Sequence, residues 1–493
     1  MKSIDIAVSI GKWLLLQYVL LALMPYFFEG IYGDGLLVLM FLYTTAYAVY
    51  WEYVPEEKRH AWLFVPYVAY LAIAATLSFI VVEWHLSLWL CVLWPLYGLV
   101  CFIVAKYVRK WCKKLKGGYK FAIALLFIVL KCICVAWECA GQGSFEGEKK
   151  DILSRRDYLT DRLVVEPQEV LGAMPSCIGE QFVGEWALYS CSMLSAALVN
   201  ISQLYPETRA ENLQKIDSLI DIVMSDELRK YDRMRWHEDP LETLDGDNSH
   251  VSYLSHLAWM ICGYKKAGGD GKYDELLASL CRTINRRIHE SVAMNLPTYP
   301  GEAVYVPDML VAIVALNEYA DLYGEKYRST VKRWIERAWK EWLDEKSGLL
   351  VSFLKEDGRQ YEDMPVKGSY SALNCYYLTF IDKAFAREQY VTLRSLFWKD
   401  TWVTGVKEYW DRWYYFGLDI DAGAILFELS PSGTAFLTGA ATFFGDNEVR
   451  NGILKTAEIA GHTVGCGNNR HYLLGNVALV GEAIMLAMRT HVE

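Results

Sequence analysis

Val306-Pro-Asp-Met-Leu-Val-Ala-Ile-Val-Ala-Leu316 and, after a short break, Tyr327-Arg-Ser-Thr-Val-Lys-Arg-Trp-Ile-Glu-Arg-Ala-Trp-Lys340 decide the fold. The first run is apolar or small on most faces. The second carries its apolar residues on one stripe and charges elsewhere. A helix that is apolar all round is buried, whereas a striped one faces solvent. The same alternation recurs along the chain. Helices are expected near 181–203 and 207–224, 248–267 and 272–290, 307–323 and 325–343, 368–384 and 386–398, and 432–444 and 447–460. A last helix, 473–490, is expected to pair with 154–164 across the termini. Strand signals are sparse. Roughly six inner and six outer helices describe an all-α fold, an (α/α)6 toroid over residues 154–493. In such a ring the loops that precede the inner helices converge at one mouth. Here those loops are the polar ones, 226–247, 291–306, 344–367, 399–431 and 462–472, so function is expected among them.

The hydrophobic content of 53% is high for a wholly soluble chain of 493 residues, and its excess sits in the first 140. A membrane-crossing helix takes about 20 apolar residues. Five such runs are placed near 10–28, 36–54, 61–82, 86–105 and 119–138. Lys106, Arg109, Lys110, Lys113, Lys114, Lys116 and Lys120, with no acid among them, mark the loop between the last two as cytoplasmic. The amino terminus then lies inside and everything after the fifth span outside. Residues 1–140 are read as a five-span transmembrane domain with the bilayer as partner, 141–153 as a polar linker, and the rest as an extracytoplasmic domain. The expected location is the inner (cytoplasmic) membrane, with that domain in the periplasm. The first span is too long, and too poor in a small-residue cleavage site, for a removable signal peptide.

A net charge of -10 and the absence of a basic stripe argue against nucleic acid as a partner. The twelve cysteines form no CxxC pair and no zinc-like Cys/His cluster. His250 and His256 are six apart and do not make the i, i+4 pair of a metal helix, so no metal is expected. There is no GxSxG, Walker A or Rossmann fingerprint, and no cofactor is expected. Cys262 reads as a small core residue, and Cys466 is the most exposed thiol by its setting.

Leu241 to Asp308 is the densest stretch of chemistry. Asp245-Gly-Asp247-Asn248-Ser-His250 leads into one inner helix, and Tyr299-Pro-Gly-Glu302-Ala-Val-Tyr305-Val-Pro307-Asp308 into another. Asp247, His250, Tyr253, Glu302 and Tyr305 are the candidate catalytic groups, because carboxyls, imidazoles and phenols exchange protons. Asn248, His256, Tyr299, Asp308, Tyr370, Trp410 and Trp413 are the candidate substrate-binding groups. Asp247, Asn248 and Asp308 are also good residues for a helix start, and the aromatic run Trp398 to Phe416 equally fits packing on the outer ring. Glu362-Asp363 and Asp419-Ile-Asp421 precede two further inner helices.

Over about residues 240–490 the chain resembles the linalool dehydratase/isomerase family. The shared order runs from Asp247-Asn248 with Ser252, through Ser369-Tyr-Ser-Ala-Leu-Asn374 and Phe385-Ala-Arg-Glu-Gln-Tyr390, to Gly445-Asp-Asn-Glu448, Gly452-Ile-Leu-Lys455 and Leu474-Gly-Asn476. The resemblance implies an α/α barrel and an acid/base aspartate at Asp247. The family's cysteine pair in the stretch corresponding to 299–308 is replaced here by Tyr299, Glu302, Tyr305 and Asp308. The first expectation is therefore a membrane-anchored dehydratase- or isomerase-like enzyme doing metal-free acid–base chemistry on a hydroxylated small molecule. A carbohydrate-active hydrolase, lyase or epimerase acting on envelope glycans is the second. A non-catalytic binding platform, as a homo-oligomer or with a membrane partner, is the third.

Overall fold

A computed structural model describes residues 117–174, 180–401, 403–419, 421–465, 467–476 and 479–492. The chain divides into two compact units, Met1–Cys134 with Pro175–Cys177, and Val135–Met174 with Ile178–Glu493. The spans expected near 10–28, 36–54, 61–82 and 86–105 lie outside the described residues, as do Trp402 and Cys466. The described part of the first unit belongs to α1 (Gly117–Cys139), which coincides with the span expected near 119–138. Its apolar side chains are open to the surroundings, Leu126, Ile128 and Ile133 each by more than half.

The second unit is mostly helical. After α1 come α2 (Phe145–Leu163), α3 (Pro167–Gly172), α4 (Glu180–Leu204), α5 (Arg209–Val223), α6 (Asp226–Trp236), α7 (Val251–Lys266) and α8 (Asp274–Glu290). Then follow α9 (Val306–Tyr323), α10 (Arg328–Glu341), α11 (Gly368–Thr379), α12 (Lys383–Phe397), α13 (Pro431–Phe443), α14 (Asn447–Ala460) and α15 (Leu479–Arg489). Among the described residues, α4, α7, α9, α11, α13 and α15 pack each on the next, and α15 returns to α4, so the cycle closes. α5, α8, α10, α12 and α14 pack outside the ring helices that precede them, and α2 packs on α15 and α4. Among the described residues Phe182–Leu204 is long and apolar enough to cross a membrane, but it is most of ring helix α4 and largely buried.

The two patterns of the opening stretch are visible as burial. In α9 every residue from Val306 to Ala320 is buried. In α10 the buried residues are Thr330, Val331, Trp334, Ile335 and Ala338, one stripe at helical spacing. Side chains of the Trp334 kind contribute roughly 1.5–3 kcal/mol each on burial. Helix starts are set by local chemistry. Ser144 accepts from Gly147 N at the start of α2, Asp382 from Ala384 N and Phe385 N at α12, and Ser430 from Gly433 N at α13.

Two differences from the sequence reading have clear causes. The linker expected over 141–153 is helical from Phe145, because its charges are partners rather than solvated groups. Glu148 is buried with Arg450 Nη1 at 2.6 Å, Arg450 Nη2 at 2.7 Å and Arg489 Nη2 at 2.8 Å. The loop 226–247 contains α6, whose polar sequence buries only Leu228, Tyr231, Asp232 and Trp236.

Strands among the described residues form four two-stranded antiparallel ribbons in the loops. β1 (Val304–Tyr305) pairs with β2 (Phe353–Leu354), and β3 (Trp398–Lys399) with β4 (Gly405–Val406). β5 (Phe416–Asp419) pairs with β6 (Gly423–Leu426), and β7 (Thr463–Val464) with β8 (His471–Tyr472). The first three ribbons pin the loops at the starts of α9, α11 and α13.

Candidate active site

Acid and phenol side chains collect where the ring helices begin. Glu185 and Tyr189 lie one turn apart on α4, so both face the same way. Pro307 opens α9 and Asp308 follows in its first turn, nearly buried, with Thr298 Oγ1 donating to its carboxylate at 2.6 Å. Lys367 precedes α11, and its Nζ stands 2.7 Å from Asp419 and 3.6 Å from Asp421 at the turn of the β5–β6 ribbon. Tyr370, in the first turn of α11, packs against Phe353 and Tyr305 at ring separations of 5.1 and 6.1 Å.

Electrostatics bind these groups into one set. Burial and then the neighbouring Asp308 charge raise Glu185 to about 8, against the pull of the Tyr299 hydroxyl and Arg235. Burial raises Asp308 to about 6; the Thr298 bond lowers it and the charge of Asp421 raises it. Burial also raises Asp421, with Lys367 opposing. Burial, reinforced by these carboxylates, holds the phenols of Tyr189, Tyr299 and Tyr370 well above the ordinary tyrosine range. At neutral pH the set offers a protonated carboxylic acid, an ionised carboxylate and several neutral phenols, the pairing that proton transfer needs.

The structure distributes the sequence candidates unevenly. Tyr299, Tyr305, Asp308 and Tyr370 belong to this set. Glu302 sits at its edge, 3.1 Å from Arg235 Nη1, while the Arg235 guanidinium lies over the Tyr299 ring at 4.0 Å. Asp247 is elsewhere: its side chain is 96% exposed and meets only Arg286, at 3.4 Å. Asp247 does not start α7 either, because His250 occupies that position with a φ of 46°. His250 is fully buried between Asp232 at Nδ1 and Glu238 at Nε2, the latter at 3.2 Å. Asn248 is half-buried beside Glu238.

Tyr253 is enclosed and donates to the Val223 carbonyl at 3.0 Å, which ties α7 to α5. His256 is enclosed in the ring with Nδ1 2.8 Å from Ser192 Oγ and its ring 4.5 Å from that of Tyr189. Burial lowers it to about 3, so it is neutral. Trp410 is half-buried and Trp413 is 84% exposed, both on the loop before α13.

Sequence reasoning passed over Glu185, Tyr189, Lys367 and Glu408. Glu408 is buried, accepts from Ser369 N at 3.2 Å and Ser369 Oγ at 2.9 Å, and is raised by burial to about 7. Glu185 had a signal: it is the one acid between Gln181 and Leu204 in an otherwise apolar or small run. A carboxyl on a largely apolar ring helix requires a partner or a task.

Among the described residues no group of three or more His, Cys, Asp or Glu side chains is arranged to hold a metal ion. No family model matches the chain.

Proposed function

We propose that this chain is a membrane-attached, extracytoplasmic enzyme built on an (α/α)6 toroid, which moves protons on a hydroxylated substrate at the mouth of the ring. Asp308 is the base, Glu185 the acid, and Tyr299, Tyr305 and Tyr370 orient substrate hydroxyls. The observation that carries this reading is the split of two electrostatically coupled carboxyls, Glu185 at about 8 and Asp308 at about 6, on α4 and α9, the two ring helices that flank α7. The exposed apolar residues of α1, together with the apolar runs before it, support attachment to a bilayer in an inner membrane. With Asp308 as base, an alcohol loses water as Glu185 protonates the departing hydroxyl and Asp308 takes a proton from the adjacent carbon. That is the dehydratase-like chemistry the family resemblance implies, carried by different residues.

A second reading, glycan chemistry at the same carboxyls, is supported by a cleft lined by Trp410 and acidic side chains on the loops before α11 and α13. The test for both is direct. Full-length protein in nanodiscs is incubated separately with monoterpene alcohols and with linear oligosaccharides, and products are followed by chromatography. Turnover of one class is expected, reduced at least about 100-fold in Glu185→Gln and in Asp308→Asn. Turnover that survives in both variants, or no turnover of either class, overturns the assignment.

A further inference from the structure

A cleft of about 230 Å³ is lined by Trp410 and by Met364 to Val366, on the loops before α13 and α11. Both lining segments adjoin in sequence residues that hold the start of α11. Val366 is followed by Lys367, which holds Asp419. Trp410 follows Glu408 by two residues, and Glu408 holds Ser369 at the start of α11. The lining mixes one indole with charged groups. The four acids Asp344, Glu362, Asp363 and Asp411 outnumber the two bases Lys346 and Arg412.

Further aromatic residues follow Trp410 on the same loop. The rings of Trp413 and Tyr415 are 5.9 Å apart, and those of Tyr415 and Phe427 5.6 Å. All three residues are exposed, Trp413 by 84%. Phe427 and Glu428 both adopt positive φ, 55° and 73°, a costly backbone for two successive non-glycine residues. The turn they form sets Phe427 at the outer end of the β5–β6 ribbon, while Asp419 lies at its inner end. Strands of this length hold the two ends about 10 Å apart.

We propose that the Trp410 cleft is a saccharide subsite, and that the substrate is an extended neutral glycan running from the carboxylate mouth past Trp410 to the Trp413 ring. The proposal rests on the mouth being the reaction site. The chemistry of the walls selects the ligand. An indole face covers the C–H face of a sugar ring, and the carboxylates accept its hydroxyl hydrogens. A lipid chain would leave those carboxylates desolvated without partners. The excess of acids repels uronates and other anionic glycans.

The experiment is calorimetric binding to the full-length chain in nanodiscs, with linear oligomers of glucose and of N-acetylglucosamine, and with polygalacturonate as the anionic control. Saturable binding of a neutral series is expected, tightening with chain length. Trp410→Ala should weaken it about tenfold, and Trp413→Ala, a change at the surface, should remove the gain from the longest oligomers. Asp308→Asn should keep the gain in affinity with chain length, which the tryptophans supply, whatever it does to binding at the mouth itself, and this separates the subsite from the chemistry. Turnover persisting in that variant would count against the reaction site and leave the subsite intact. Absence of saturable binding of every neutral series, preference for polygalacturonate, or unchanged binding in both tryptophan variants overturns the proposal.

Discussion

Glu185 and Asp308 enter one another's field from the second turn of α4 and the first turn of α9, and the charge on Asp308 raises the proton affinity of Glu185. The effect runs one way. Asp308 loses its proton first, near 6, while Glu185 is still neutral and exerts no comparable charge. Activity that needs Asp308 ionised and Glu185 protonated is therefore bell-shaped, rising through about 6 and falling through about 8. In Asp308→Asn the neighbouring charge is gone and the Glu185 titration moves to lower pH. The band of its protonated carboxyl in the infrared, identified by its loss in Glu185→Gln, reports that shift without any turnover. A titration unmoved by the substitution would show that the two carboxyls are not coupled.

The same raised affinity has a cost in stability. A carboxyl whose folded value is lifted from 4.5 to about 8 binds its proton more tightly in the folded chain than in the unfolded one. The fold is then favoured most below 4.5 and loses that advantage as pH rises toward 8. Glu185→Gln, which cannot ionise, is expected to melt higher than wild type at pH 8 and above. The difference should shrink as the pH falls, and thermal scans at several pH values would expose the opposite trend.

Glu148 shows the reverse sign. Burial alone would raise it, but hydrogen bonds to Arg450 and Arg489, with the charges of both, bring it from 4.5 down to about 2. This pairing joins α2 to α14 and α15, where the ring closes. Its contribution is present above about 4.5 and is lost as pH falls toward 2. Glu148→Ala leaves two buried guanidinium groups short of a partner, and the expected cost is about 3–5 kcal/mol. Chemical denaturation of the variant at neutral pH measures it, and a loss below about 1 kcal/mol would mean that Asp151, which accepts from Arg489 Nη1 at 2.7 Å, compensates fully.

Helix order was legible because ring and outer helices differ in a property that sequence carries directly, the breadth of the apolar face. α9 and α10 are the clearest pair, and the expected bounds 307–323 and 325–343 differ from theirs by at most three residues. α6 was not legible, because a helix held by Tyr231, Asp232 and Trp236 has too few apolar positions to set a period. The site was half legible. Tyr299, Tyr305, Asp308 and Tyr370, the members of the acid–phenol set that loop composition singles out, lie where the ring helices begin. Glu185 lies inside a helix, so loop composition is silent on it. Asp247 was favoured for its motif, and a motif does not reveal whether a carboxylate turns inward.

That contrast is testable. Asp247 meets solvent and Arg286 only, so Asp247→Asn should alter stability by no more than about 0.5 kcal/mol and leave turnover and its pH profile as they are. The family resemblance implies the opposite, loss of turnover with the fold intact. Kinetics of Asp247→Asn beside Asp308→Asn distinguishes a base in the exposed loop before α7 from one at the start of α9.

Gly439 measures how tightly the ring is drawn. It lies on α13 between α11 and α15, and a β-carbon there would come within 2.5 Å of Met488 Sδ and 2.7 Å of Tyr376 Cδ2. Met488 has a flexible side chain and can turn aside. Tyr376 is fully enclosed and has no such freedom. Alanine at this position gains helix propensity worth about 1 kcal/mol, yet it must push α11 and α13 apart, which costs typically 1–3 kcal/mol. The clash outweighs the propensity, so Gly439→Ala is expected to lower the melting temperature. Because α11 also carries Tyr370, the same displacement should loosen the mouth and weaken substrate binding more than it slows the bound substrate's reaction. A variant that melts at or above the wild-type temperature would mean the ring has slack at this crossing.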